Sequence, residues 1–197
     1  VNTVEKVYPQ FIPNLSTCRS PQGMMAPVVK HYWAKQMGID PKNLVLVSIM
    51  PCVAKKAEAK RAQLRMADGT PETDIVLSAR EFGRFLHRRG ITQDVWDALP
   101  DMNFDDPLAS GTGAATLFGA TGGVMEAALR TAYEIATGKE LPGIVFSAAR
   151  GLAGIKEATV DVAGTPLRIA IANGTKNVRQ LCDDILAGKR TYEFIEI

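Results

Sequence analysis

The chain has 197 residues, of which 46% are hydrophobic and 22% are charged, and its 23 basic and 21 acidic residues leave a net charge of +2. This composition is typical of a folded globular protein, because disordered chains carry fewer apolar residues. The small net charge gives no electrostatic reason to expect a nucleic-acid partner. Three cysteines are too few for a disulfide scaffold, and no apolar run reaches the roughly 18 residues that a membrane span needs.

Apolar spacing predicts helices that alternate with strands, which is typical of α/β layering. In chain order the predicted elements are a helix over 1–8, a helix over 21–38, a strand over 43–50, a helix over 53–65, a strand over 74–77, a helix over 79–89, a helix within 114–137, a strand over 144–146, a hairpin over 157–172, a helix over 177–186 and a strand from 192. Ser20 and Ser78 are the predicted N-caps of the second and fourth helices. The run 43–50 is almost continuously apolar, which predicts a strand covered on both faces. The run 100–112 is rich in Asp, Gly and Pro and predicts a long surface loop.

The segment 50–58, Met-Pro-Cys-Val-Ala-Lys-Lys-Ala-Glu, is the strongest candidate for a functional site. Cys52 follows the C-terminal end of a predicted strand, where α/β proteins place their ligands. Lys55 and Lys56 favour a thiolate, which can act as a nucleophile or bind an iron–sulfur cluster. Lys55 and Glu58 are three residues apart and can pair on one helix face. Composition alone favours the alternative, a structural cysteine followed by a solvated basic helix.

Two further segments contain candidate functional residues. The block 118–130, Phe-Gly-Ala-Thr-Gly-Gly-Val-Met-Glu-Ala-Ala-Leu-Arg, places glycines before a helix, whose N-terminal amides favour anions. Its alternative role is a tight turn that permits close packing. The hydroxyl residues of 14–25 have capping of the next helix as their default role. His31 and His87 lack partners at metal-ligand spacing, and Cys182 is predicted to be a core residue.

These segments together resemble the catalytic domain of [FeFe] hydrogenases. The segment 50–58 matches every fixed position of the family signature Met-Pro-Cys-x-x-Lys-x-x-Glu, and 118–130 matches the family's glycine block throughout. Asn-Leu-Ser at 14–16, Ser-Pro at 20–21 and Arg-Gly-Leu at 150–152 also agree. The resemblance therefore extends along essentially the whole chain.

The resemblance implies an α/β fold of two lobes, with mostly parallel sheets flanked by helices and a cluster site in the cleft between the lobes. Residues 1–110 would form part of the first lobe and the crossover, and 111–197 part of the second. It also implies reversible H₂ oxidation and proton reduction at an H-cluster. In that cofactor a [4Fe-4S] cubane is joined to a two-iron centre that carries CO, cyanide and a dithiolate bridge.

Roles for individual residues also come from the resemblance. Cys52 would be a metal ligand on the cubane, and Lys55 would donate to a cyanide on the two-iron centre. Glu58 would orient Lys55, and Ser16 would lie on the proton path. The residues that would line the cofactor pocket are Ser20, Pro21, Gln22, Met50, Pro51, Phe118 and Gly119.

In this family one cysteine motif precedes the segment that begins here at Val1, and another follows the segment that stops here at Ile197. The chain is therefore interpreted as an internal fragment that holds one of four cubane ligands. By itself it is expected not to assemble the cluster or turn over H₂. The complete protein is expected to work with H₂ and protons, with ferredoxin or NAD(P)-linked electron-transfer subunits, and with maturation proteins. The expected compartment is the cytoplasm, with the periplasm as the alternative.

Three other interpretations compete with the hydrogenase. The first is a non-catalytic, Narf-like iron–sulfur assembly protein, and the second is an H₂-sensing relative. The third is a generic α/β domain that binds a small anion. The presence of Lys55 and the intact run 122–130 favour the hydrogenase.

Overall fold

The computed structural model describes most of the chain. The described residues are 1–105, 108, 111–145, 154–197 and, by backbone alone, 147–148. The chain divides into two compact units, Val1–Ala109 and Ser110–Ile197. Each unit combines helices with a β-sheet, so the predicted α/β class is confirmed.

The N-terminal part of the first unit is helical. Its elements are α1 (Asn2–Val7), a 3₁₀ segment (Pro9–Asn14), α2 (Pro21–Pro27), a π-helical stretch (Val28–Trp33) and α3 (Ala34–Gln36). The last three form one continuous helix, as predicted. Ser20 is its N-cap, because the Ser20 hydroxyl accepts a hydrogen bond from the backbone N–H of Gly23 at 3.2 Å. The π-helical stretch carries Lys30, whose buried ammonium contacts the Asp74 carboxylate at 2.7 Å and the Pro71 carbonyl at 2.6 Å.

The rest of the first unit is built around a small parallel sheet. Its elements are a 3₁₀ segment (Pro41–Asn43), β1 (Val47–Met50), α4 (Ala54–Ala59), a 3₁₀ segment (Ala62–Leu64), β2 (Ile75–Ser78), α5 (Ala79–Arg88) and α6 (Gln93–Asp97). Strands β1 and β2 run parallel, with Met50 opposite Ser78. Ser78 forms the predicted cap of α5, in a capping box with Glu81. Helix α6 was not predicted, because five residues are too few for a periodic pattern.

The prediction that the first strand is covered on both faces is wrong for β1. Ser48 and Met50 are half-buried, whereas Val47 and Ile49 on the opposite face are each 46% exposed. Alternate side chains of a strand point to opposite faces. Within the described residues, β1 therefore has one shielded face and one open face.

The second unit is built on a larger, mixed sheet. Its elements are α7 (Gly113–Leu117), α8 (Gly123–Thr137), β3 (Ser147–Ala148), β4 (Ile155–Val162), β5 (Thr165–Ala172), α9 (Thr175–Leu186) and β6 (Phe194–Glu196). The strand order is β3-β4-β5-β6. The first two pairings are antiparallel and the third is parallel, which corrects the expectation of mostly parallel sheets for this unit. The predicted hairpin forms, and its turn residues Ala163 and Gly164 have φ of 52° and 87°, as a type I′ turn requires.

Two predictions for the middle of the chain fare differently. The described residues of 100–112 contain neither helix nor strand, in agreement with the predicted loop. The strand predicted over 144–146 is displaced along the chain. Ile144 and Val145 lie outside any strand, β3 follows at 147–148, and residue 146 lies outside the described residues. The matched triplet at 150–152 also lies outside them.

The core of the second unit lies between α8 and the sheet. Its buried members are Met125, Leu129, Leu141, Val160, Ile169 and Ile171. Apolar burial of this kind is the main force that stabilises a small domain. Cys182 is buried on α9, as predicted, and burial raises the pKa of its thiol.

Candidate functional site

Helix α4 brings Lys55 and Glu58 together. The Nζ of Lys55 lies 2.7 Å from Oε2 of Glu58, so the pair predicted from their spacing forms. The other carboxylate oxygen, Oε1, accepts a hydrogen bond from the hydroxyl of Ser20. Both paired side chains are 23% exposed and are thus partly shielded from water. Because both of its oxygens are engaged, the Glu58 carboxylate is fixed in direction and holds the Lys55 ammonium.

Glu58 is held in its charged form. Burial raises the pKa of the carboxyl group, but the hydrogen bonds from Lys55 and Ser20 outweigh burial, and the pKa lies below its ordinary value of 4.5. At neutral pH the carboxylate therefore attracts the ammonium at full charge. The Ser20 hydroxyl has two functions, since it also caps α2. The start of α2 and the helix that follows Cys52 are thus joined at this point.

Gln22 makes a second connection between the same elements. The residue is only 6% exposed. Its Oε1 accepts a hydrogen bond from the Ser48 hydroxyl at 2.9 Å, and its Nε2 donates to the backbone carbonyl of Lys55 at 3.4 Å. A buried amide is costly unless it is hydrogen-bonded. Both ends of this amide are paired, so its orientation is defined.

The turn between β1 and α4 carries the candidate metal ligand. Met50 ends β1 and is half-buried, while Pro51 and Cys52 are exposed. The Cys52 carbonyl accepts a hydrogen bond from the backbone N–H of Lys55 at 3.2 Å, which closes the turn onto α4. The thiol is accessible to a ligand, and its backbone is held. The lysine beside Lys55, Lys56, contacts Glu81 at 2.6 Å, so both ammonium groups near the thiol are engaged by carboxylates.

The segment that leads into α2 is anchored by Arg19. Its guanidinium contacts the buried carboxylate of Glu72 at 2.5 Å and donates to the Gln63 carbonyl at 3.1 Å. Ser16, the candidate for the proton path, lies further upstream and is exposed. Its hydroxyl accepts a hydrogen bond from the backbone N–H of Cys18 at 3.1 Å. Arg19 therefore fixes the chain between Ser16 and Ser20.

The glycine block of the second unit is shaped by steric demands. Gly122 has φ of 89°, and a Cβ added to it would lie 2.3 Å from Cδ1 of Ile171. A Cβ on Gly123 would lie 1.7 Å from the backbone oxygen of Leu117. Neither position has room for a larger residue. The tight-turn interpretation of the block is therefore correct for these two glycines.

A carboxylate of the chain itself occupies the start of α8. The Oε1 of Glu196 accepts from the N–H of Gly122 at 3.1 Å, and its Oε2 accepts from the N–H of Met125 at 2.6 Å. The anion that these amides favour is thus supplied by β6. Phe118, which is 40% exposed, and Gly119 precede this turn and remain accessible. Their assignment to the cofactor pocket stays a prediction.

The described residues contain no cluster of three or more His, Cys, Asp or Glu side chains that could hold a metal ion. Of the three cysteines, Cys18 and Cys52 are exposed and Cys182 is buried. Two thiols of this set, those of Cys18 and Cys52, are therefore accessible to a cluster, and a cubane held by four cysteines needs more ligands than these two supply. In the part of the chain that the structure describes, no helix has both the length and the hydropathy needed to cross a membrane.

All 197 residues match the family model described as iron only hydrogenase large subunit, C-terminal domain. The chain belongs to this family. It is 48% identical over 192 residues to the periplasmic [Fe] hydrogenase large subunit of Nitratidesulfovibrio vulgaris, which covers 98% of the chain and 45% of that relative. It is 43% identical to the NADP-reducing hydrogenase subunit HndD of Solidesulfovibrio fructosivorans over 197 residues, which are 100% of the chain and 33% of that relative.

A solved hydrogenase structure and a relative with a different name are also similar to the chain. The apo [FeFe]-hydrogenase HydA1 from Chlamydomonas reinhardtii matches with a TM-score of 0.84 and 40% identity, over 99% of this chain and 55% of that one. The cytosolic iron-sulfur assembly component 3 of Pongo abelii is 31% identical over 202 residues, with 98% of this chain and 41% of that relative covered. The chain thus spans less than half the length of these curated relatives.

The structure brings together part of the predicted site. Lys55 and Glu58 meet Ser20, and Gln22 reaches the backbone of Lys55. The predicted residues Phe118 and Gly119 belong to the second unit. Sequence reasoning missed Ser48, although its signal was present: it is the polar residue in the otherwise apolar run Leu-Val-Leu-Val-Ser-Ile-Met.

Proposed function

We propose that this chain is part of a hydrogenase that interconverts H₂ with protons and electrons at an H-cluster. Family membership supports the proposal. The observation that carries it is the geometry around Cys52: an accessible cysteine is followed, three residues later, by an ammonium that Glu58 and Ser20 hold in a fixed direction. An anionic group bound beside this cysteine would meet a positioned cation.

Each residue then has a defined task. Cys52 would supply one thiolate to the cubane, and the Lys55 ammonium would donate a hydrogen bond to a cyanide of the two-iron centre. The bound cofactor supplies the redox chemistry of H₂. Glu58 positions Lys55, and Ser20 positions Glu58. Ser16 passes protons along the surface of the segment that leads into α2.

The pocket walls are part of the same proposal. Met50 is half-buried at the end of β1 and shields the site from water, while Pro51 sets the direction in which the chain leaves the strand. Pro21 and Gln22 line the opposite wall from α2. Phe118 and Gly119, in the second unit, are proposed as further residues that would contact the cofactor.

Electron partners follow from the proposed reaction, because electrons released from H₂ must leave the protein. We expect ferredoxin or an NAD(P)-linked subunit to accept them, and the NADP-reducing relative supports the second option. Maturation proteins would deliver the two-iron centre. The cytoplasm is the proposed compartment, with the periplasm as the alternative because one relative is named periplasmic.

The decisive experiment compares two neighbouring lysines. In the complete hydrogenase, loaded with a synthetic two-iron precursor, Lys55→Ala should lower H₂ evolution from reduced methyl viologen roughly a hundredfold or more, as loss of a positioned charged donor does elsewhere. Lys56→Ala is the matched control, because Lys56 pairs with the partly exposed Glu81. It should stay within about twofold of the unaltered enzyme, since such surface pairs contribute little.

The same experiment separates the competing functions. Equal activity of the two variants would contradict the role of Lys55. An unaltered protein that holds a complete cubane but makes no H₂ would favour an assembly or sensing role, and the relatives named as assembly components make the first of these concrete. The 197-residue chain alone should show no stable cluster signal in electron paramagnetic resonance, because one thiolate cannot hold a cubane.

A further inference from the structure

Gln22 contacts the chain on both sides of the turn that carries Cys52. Before the turn, the Ser48 hydroxyl in β1 donates to Gln22 Oε1 at 2.9 Å. After the turn, the Lys55 carbonyl in α4 accepts from Gln22 Nε2 at 3.4 Å. One side chain thus spans the segment 49–54. The strand before the turn and the helix after it are therefore linked through a single planar amide.

The two bonds are not equal. The Ser48 bond is the shorter one, and it decides which end of the amide faces the strand. Because Ser48 donates, Gln22 presents its oxygen to β1 and its NH₂ group to α4. Loss of the hydroxyl would leave a buried carbonyl oxygen without this donor, and this hydrogen bond would no longer fix the orientation of the amide.

Ser48 occupies a position where packing alone would favour an apolar residue. It lies on the half-buried face of β1, together with Met50, in a run that is otherwise apolar. Serine contributes little to strand packing. Its contribution here is the hydrogen bond to the amide of Gln22, a residue that is 6% exposed.

We propose that Ser48 is a positioning residue that acts through Gln22: it fixes the turn that carries Cys52 and, with it, the backbone of Lys55. The importance of that turn rests on the proposed function, in which Cys52 binds the cubane. The clamp itself, meaning Ser48, Gln22 and the Lys55 carbonyl, is a property of the fold and can be tested without any turnover.

The test measures amide hydrogen exchange by mass spectrometry in the complete hydrogenase before the two-iron centre is loaded. The reporters are the amides of Lys55 and Lys56, which donate to the carbonyls of Cys52 and Val53 within the turn. Ser48→Ala should accelerate their exchange by about two- to tenfold, which is the effect of one lost hydrogen bond on local opening. Ser48→Thr keeps the hydroxyl and should restore slow exchange.

Ser78→Ala is the matched control for loss of stability in the same sheet. Ser78 pairs with Met50 across β1 and β2, but its hydroxyl bonds to Glu81 at the start of α5. This variant should accelerate exchange in α5 and leave the amide of Lys55 unchanged. Lys55 is the reporter for this control, because the Lys56 side chain contacts Glu81. Equal acceleration of the Lys55 amide in both alanine variants would overturn the clamp, and so would an unchanged rate in Ser48→Ala.

Activity is then measured on the same loaded proteins. Ser48→Ala should lower H₂ evolution, and Ser48→Thr should recover it. Faster exchange at the turn in Ser48→Ala, together with no activity in the unaltered protein, would support the clamp and contradict the proposed function. An active Ser48→Ala protein with unchanged exchange would overturn the clamp alone.

Discussion

The Cys52 turn of the first unit is held by hydrogen bonds between side chains, whereas the glycine block of the second unit is held by close packing. Ser20, Gln22 and Glu58 each use specific polar atoms to fix the turn. Gly122 and Gly123 lie so close to neighbouring atoms that an added Cβ would clash with them. The first arrangement depends on charge and protonation, and the second depends on volume.

This difference separates two kinds of mutational effect. A hydrogen-bonded clamp loses one or two hydrogen bonds when it is altered, so we expect the fold to survive and the geometry of the turn to change. A packed glycine block tolerates no added atom, so even a methyl group disturbs the unit. Changes at the Cys52 turn should therefore affect function before stability, and changes at the glycines should affect stability first.

The largest expected effect is that of Gly123→Ala. Its Cβ would lie 1.7 Å from the Leu117 backbone oxygen, so the turn between α7 and α8 must shift. We expect a loss of about 3 kcal/mol or more in the free energy of unfolding, measured by urea denaturation with far-ultraviolet circular dichroism. Gly138→Ala is the control, because it ends the same helix with φ of 68° and open space around it. It should cost only about 1 kcal/mol. Similar losses in both variants would contradict the steric explanation.

In the first unit, the largest loss should follow from Asp74→Asn. Lys30 is fully buried, and Asp74 is the carboxylate that contacts its ammonium. Without that charge the buried ammonium keeps the Pro71 carbonyl as a partner, and we expect a loss of about 3 kcal/mol.

Lys30→Met tests the reason for this loss. It removes the buried charge and keeps most of the side-chain volume, while Asp74 retains its hydrogen bond from the Leu46 N–H. We expect a smaller loss than that of Asp74→Asn in the same urea experiment, since breaking a buried pair costs more than replacing it. The reverse order would show that the volume of Lys30, and not its charge, is what matters.

A smaller effect is expected at the start of α8. Glu196→Gln keeps the shape of the side chain but removes the charge that faces the N–H groups of Gly122 and Met125. The loss should be about 1 kcal/mol, as for other charged groups at helix N-termini. Glu140→Gln, at an exposed position after the same helix, should leave stability unchanged. If Glu196→Gln leaves the free energy of unfolding unchanged, the glycine block is stabilised by packing alone.

Much of the fold follows from local sequence signals. The caps Ser20 and Ser78, the hairpin turn at Ala163 and Gly164 and the helix that ends at Gly138 each have a signature of a few residues. The signals fail where long-range contacts decide. A lysine within an apolar helix gives no sign that Lys30 will be fully buried, because its partners lie some forty residues further along the chain.

The candidate site shows the same limit. The spacing of Lys55 and Glu58 predicts their pair, since both lie on one helix. The bond from Ser20 to Glu58 joins residues 38 positions apart, and no local pattern contains it. Ser48 could be noticed as a polar residue in an apolar strand, but its partner Gln22 is known only from the fold.

The smallest expected effect is on the pH dependence of stability. It is seen by comparing one carboxylate from each unit at low pH. A hydrogen bond from Arg168 lowers the pKa of Glu193 from 4.5 to about 2. The pKa of Glu58 is also below 4.5, because the bonds from Lys55 and Ser20 outweigh burial. A carboxyl group whose pKa is lower in the folded state stabilises the fold above its unfolded pKa. It loses that contribution as the pH falls through the folded pKa. For Glu193 the loss lies between pH 4.5 and about 2, and for Glu58 it begins at the same upper limit.

Urea unfolding at several pH values between 6 and 3 separates the two carboxylates. Both tryptophans, Trp33 and Trp96, lie in the first unit, so their fluorescence follows that unit. Glu58→Gln should make the fluorescence transition less sensitive to acid, by a small amount because solvent partly screens the pair. Glu193→Gln should reduce the acid sensitivity seen by circular dichroism and leave the fluorescence transition unchanged. If both variants move the fluorescence transition equally, the two units unfold as one cooperative unit, and the two carboxylates do not report on separate parts of the fold.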